Sequence, residues 1–203
     1  MPRSVPPRPK RACRPAGFTL VESLVATTIT AVAGSALLWG ISAALQNTNA
    51  TREQSIAGGL AQQLMDEIAT KFYCVTKNSP YDNPLGPTSS ENSGLGRSLY
   101  SSLSAYNGLR SEPATDPYGV CLGLDDGTGL TRNAALQAQT FFENWREEVD
   151  VYYVSNTDQT TKLSAAQTSD YRCVEIRIYY DDPTVGLRLI TTQKRVFAYV
   201  AAP

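Results

Sequence analysis

Residues 17–45 read GFTLVESLVATTITAVAGSALLWGISAAL, apolar almost throughout, with one ionised side chain, Glu22. About 28 helical residues rise roughly 42 Å, more than the ~30 Å hydrocarbon core of a bilayer. The stretch exceeds the 7–15-residue apolar region of a secretory signal peptide. Residues 18–45 are therefore expected to form a membrane-spanning helix. Thr19, Ser23, Thr27, Thr28, Thr30, Ser35 and Ser42 interrupt it and are expected to hydrogen-bond carbonyls of their own helix, since lipid offers no other partner. Gly34 and Gly40 permit close helix approach without the GxxxG spacing. A carboxylate at a helix centre costs about 2.5–3.5 kcal/mol on insertion scales; Glu22, near the end, costs less but still calls for a partner.

Upstream, residues 1–16 carry Arg3, Arg8, Lys10, Arg11 and Arg14 and no acid, and five prolines argue against a helix. The basic leader stays cytoplasmic by the positive-inside rule, and the remainder of the chain faces the other side.

The basic leader, the glycine, the sequence F-T-L-V-E and the apolar run resemble the class III signal of type IV prepilins and type II secretion pseudopilins. The resemblance implies that a prepilin peptidase cuts between Gly17 and Phe18 and methylates the new Phe18 amine. It implies that Glu22, fifth residue of the mature chain, pairs with a neighbouring subunit's Phe18 amine in a filament. The implied partners are that peptidase, other pilin or pseudopilin subunits, an inner-membrane assembly platform and the lipid bilayer. The implied location is the bacterial inner membrane, single-pass, amino terminus cytoplasmic and head periplasmic or extracellular, then the filament. Major pilins carry a proline where Trp39 stands here, and the segment AGGLAQQLMDEIA at residues 57–69 is closer to minor subunits.

Downstream, residues 46–73 are expected to continue the helix in amphipathic form. Ile56, Leu60, Leu64, Ile68 and Phe72 recur every four residues, while Arg52, Glu53, Gln63, Asp66, Glu67 and Lys71 take the other faces. Glu67 and Lys71 have the spacing of a favourable pair, and Gly58 and Gly59 are expected to make a flexible point. Residues 74–203 form the head. Its first part, 74–145, is rich in proline, glycine, serine and asparagine and reads as a long loop, with short helical pieces at 99–103 and 134–145. Residues 146–200 read as an antiparallel sheet: strands at 149–154, 171–180 and 187–200, the last slipping in parity near Gln193 and Lys194 as at a bulge. The fold class is α+β and pilin-like, a long amino-terminal membrane-spanning helix packed on a carboxy-terminal antiparallel sheet.

The chain has no histidine, which excludes Ser-His-Asp and Cys-His nucleophile systems and the commonest zinc ligand. No catalytic, metal or cofactor site is expected, and the protein does not read as an enzyme. A net charge of −1 with its one dense basic cluster in the leader does not suggest nucleic-acid binding. LDDGTG at residues 124–129 lacks the ligand pattern of an EF-hand and reads as a turn, as does the Asp181, Asp182 pair. Once Cys13 leaves with the leader, Cys74, Cys121 and Cys173 remain. A bridge from Cys74 to Cys121 would close a loop of about 47 residues and stabilise by roughly 4 kcal/mol; the alternative is three reduced, buried thiols. The expected function is that of a structural minor subunit in a type IV pilus or type II secretion filament. The alternative is a membrane-tethered or filament-tip binding module using the loop at residues 74–130.

Overall fold

The computed structural model describes residues 17, 19–75, 80–137 and 141–200. The architecture is α+β: helix α1, Leu20–Ala69, and four strands, β1 (Leu109–Ser111), β2 (Trp145–Tyr153), β3 (Tyr171–Asp182) and β4 (Gly186–Ala198). The chain divides into two compact units between Asn49 and Ala50, within α1.

In the first unit α1 is apolar on all sides, with no buried side chain among residues 20–49. By length and composition this helix can cross a membrane. The hydroxyls behave as lipid requires. Thr27 donates to the Leu24 carbonyl at 2.9 Å, and Thr28, Thr30 and Ser35 donate to carbonyls three or four residues back at 2.8 Å.

In the second unit α1 becomes one-sided, burying Ala57, Leu60, Ala61, Leu64, Met65 and Ile68. The observed stripe is the expected one thickened by the small and flexible side chains between its leucines. Phe72 does not belong to it. The helix ends at Ala69, and Phe72 makes a parallel bridge with Ser102, its side chain 69% exposed. Gly58 and Gly59 lie inside unbroken helix, so the expected flexible point is not a break in secondary structure.

The sheet is antiparallel, in the order β1-β2-β3-β4. Its inner face carries Trp145, Val149 and Val151 of β2 and Val174, Ile176 and Ile178 of β3, which form one core with the α1 stripe and with Leu103, Ala105 and Tyr106. The alternation in YRCVEIRIYY assigns Val174, Ile176 and Ile178 to the buried face. β2 begins at Trp145, four residues earlier than the sequence pattern suggested, because three of the added residues, Arg146, Glu147 and Glu148, are charged. Of these, Glu147 points into the core and Glu148 joins the ion pairs of the other face, with Arg110, Arg146 and Arg177. The bulge falls at Ile190: Thr191 pairs with Ile178 and Leu189 with Tyr179, leaving Ile190 over, upstream of the parity slip.

The segment expected as loop, residues 74–145, holds β1 and 3-10 turns at Glu91–Ser93, Leu103–Tyr106 and Ala134–Leu136. Three residues of strand are too few to show alternation. Glu91 organises much of this segment, its carboxylate accepting from the backbone and hydroxyls of both Thr88 and Ser101. At its start, fully buried Arg172 of β3 lies between the rings of Tyr73 and Tyr153 and donates to the Pro80 carbonyl at 2.6 Å, the Tyr153 hydroxyl and Asp82.

Candidate functional site

The residues singled out by the sequence lie at the start of α1. Gly17 is exposed, and Phe18 lies outside the described residues. Thr19 caps the helix. Its hydroxyl accepts from the Glu22 backbone N–H at 3.3 Å, and its carbonyl accepts from the Ser23 N–H at 3.1 Å. Thr19 and Glu22 have the Thr-x-x-Glu spacing of a capping box, a local signal present in the sequence beside the longer motif. Glu22 therefore sits in the first helical turn, exposed, where the partial positive charge of the helix terminus favours a carboxylate. In the sequence the Gly17–Phe18 bond precedes this cap.

A second constellation, missed by sequence reasoning, holds the head to α1. Arg97 is buried and donates to Glu67 of α1 through Nε and Nη2, at 2.9 Å each, and to the Thr115 carbonyl at 3.1 Å. Tyr106 donates its hydroxyl to Glu67 at 2.8 Å. Glu67 thus pairs inward rather than with Lys71, because Arg97 offers a bidentate, desolvated contact that a single lysine ammonium does not. Glu147 of β2 lies beside this pair, 2% exposed, with Oε2 lacking a hydrogen-bond partner. Burial raises its carboxyl to about 7 against the opposing pull of Arg97 and of a hydrogen bond from the Thr115 backbone, and Glu67 raises it further. Burial also raises the Tyr106 phenol, with Glu67 adding to it. These groups are linked through Arg97 across α1, β2 and the long connection, and the arrangement is a clamp between them.

No disulfide joins Cys74, Cys121 and Cys173. Of the two alternatives, the bridge from Cys74 to Cys121 is not the one seen: Cys74 is buried, and Cys121 is half-buried in the isolated bridge with Thr115. Burial pushes both thiols up, helped by Asp82 at Cys74 and by Glu143 at Cys121. LDDGTG is a turn: Asp126 accepts from the backbone of Thr128 at 2.8 Å and of Leu130 at 3.1 Å. The Asp182 carboxylate closes the β3–β4 turn on Thr184 in the same way. Among the described residues no cluster of His, Cys, Asp and Glu could hold a metal ion. A cavity of about 280 Å³ opens between Leu85, Asn107, Val151, Tyr152 and Leu163, with the Lys162 ammonium over the Tyr152 ring.

The chain matches no family model, no curated protein and no solved structure.

Proposed function

We propose that this protein is a structural minor subunit of a pilin-like filament, of the type IV pilus or type II secretion kind. It is inserted in the inner membrane through α1, processed after Gly17 and assembled through the amino-terminal half of that helix. One observation carries the reading: a single 50-residue helix is uniformly apolar and exposed in its first half and one-sided and buried in its second. Such a helix is held in lipid before assembly. It leaves lipid only by packing against similar faces of other subunits. In that packed interior water is excluded, and Glu22 is neutralised by the nearest cation, a neighbour's Phe18 amine. The cap at Thr19 supports this reading, since it starts α1 just downstream in sequence of the Gly17–Phe18 bond. The packed interior around Glu91 and Arg97 favours a structural head over a loop-borne binding surface.

The test has two readouts. Intact mass and amino-terminal analysis of the native protein should show Phe18 first and methylated; a chain still beginning at Met1 rejects the processing. Glu22→Ala should leave membrane insertion near normal and deplete the protein from sheared filaments. Equal incorporation of the variant and the unaltered protein rejects the ion pair as the assembly contact.

A further inference from the structure

The two edges of the sheet differ. β1 is three residues long, and Pro113, two residues beyond it, cannot donate to a ladder. β4 is 13 residues long, contains no proline, and spans roughly 40 Å. Among the described residues no strand pairs with its outer side. The Tyr199 N–H donates to the Asp170 carbonyl at 2.8 Å, just past the strand. Backbone groups alternate in direction along an antiparallel pair, so Thr192, Lys194 and Val196 turn their N–H and C=O outward. All three are exposed. The bulge at Ile190 leaves residues 191–198 as a regular open stretch.

Its charge restricts what can occupy it. β4 holds Arg188, Lys194 and Arg195 and no carboxylate. Arg188 is bound by Glu53 at 2.9 Å and Lys194 by Glu175 at 3.1 Å. Arg195 lies 5.3 Å from the Phe197 ring centroid and makes no ion pair among the described residues. A second copy pairing antiparallel through the same edge would set Lys194 and Arg195 near their own counterparts, which is repulsive. An acidic strand is attracted by the same charges.

We propose that the open edge of β4, residues 191–198, docks an extended acidic segment of another polypeptide, which joins the sheet as an additional antiparallel or parallel strand. Backbone pairing supplies affinity, and Arg195, which makes no ion pair among the described residues, selects for carboxylates. This inference does not depend on the filament reading, because it rests on the head alone.

The test uses the full chain in lipid nanodiscs and a fluorescent peptide of about ten residues alternating valine and glutamate, with a lysine-for-glutamate peptide as control. Saturable anisotropy is expected for the glutamate peptide, weakening with added salt, and none for the lysine peptide. Hydrogen exchange should show new protection at Thr192, Lys194 and Val196. Arg195→Glu, at an exposed site, should weaken binding by roughly tenfold and Arg195→Lys should restore most of it. Thr192→Pro removes an outward N–H without removing a β3–β4 bond and should abolish binding, with circular dichroism reporting the intact fold. Absence of binding, equal binding of both peptides, protection elsewhere, or a concentration-dependent dimer that Thr192→Pro dissolves would each overturn the proposal.

Discussion

The two halves of α1 are the same element with two kinds of surface. Leu38, in the first, is 68% exposed, and Trp39 is 82% exposed; Leu64, in the second, is buried against the sheet. Both halves are helical throughout, so backbone hydrogen bonding does not distinguish them. What distinguishes them is the distribution of polar side chains. From residue 50 onward charged and amide groups occupy one side and restrict the apolar residues to a stripe that a sheet can cover. Between residues 20 and 45 only Glu22 is charged, and small hydroxyls turn back onto the helix. An all-round apolar surface cannot be covered by one sheet face, so it calls for lipid or for several copies of itself.

This comparison can be broken most sharply at the clamp that anchors the second half. Arg97→Ala removes a buried guanidinium and leaves the half-buried Glu67 without its bidentate partner, and the head should lose about 3–5 kcal/mol of stability. Chemical denaturation in detergent should show a lowered midpoint; an unchanged one would mean that Tyr106 alone holds Glu67.

A matched pair of leucines comes next. Leu64→Ala opens a cavity under the sheet and should destabilise the head by about 2–5 kcal/mol. Leu38→Ala removes as many atoms from the first half and should leave head unfolding within about 0.5 kcal/mol of the parent. If near-UV circular dichroism showed similar shifts for both, the two halves would not be independent.

Glu147 gives a smaller effect with a pH signature. Its folded-state carboxyl sits at about 7, above its unfolded value, so the native state holds the proton more tightly. Stability is therefore greatest below the unfolded value and falls as pH rises from about 4.5 through 7, by on the order of 3 kcal/mol. Glu147→Gln mimics the protonated form and should flatten this part of the profile and be more stable than the parent at pH 8. Parallel profiles for the two proteins between pH 5 and 8 would remove Glu147 as the titrating group.

The smallest effect probes the pair of glycines near the start of the packed half. Both are helical, and an added Cβ at Gly58 or Gly59 meets nothing within 4 Å. Gly58→Ala and Gly59→Ala should each stabilise the head by up to about 1 kcal/mol. A loss of stability, read by thermal unfolding, would restore the idea that flexibility is needed there.

Much of this was legible in the sequence. The apolar run, the stripe at Ile56, Leu60, Leu64 and Ile68, and the inner-face alternation at Val174, Ile176 and Ile178 are periodic patterns, and periodicity reports directly which side of an element is buried. The cap at Thr19 and the turns at Asp126 and Asp182 are contacts across two to four residues, set by local side-chain chemistry. The partners of Glu67, the inward turn of Glu147, the clamp of Arg172 on Tyr73 and Tyr153, the short β1 and the separation of the cysteines were decided by the tertiary structure. Each depends on groups far apart in the chain; Arg97 and Glu67 are 30 residues apart and Arg172 and Tyr73 are 99. A buried charge takes whichever partner the fold brings within reach once water is removed, and no local spacing encodes that choice.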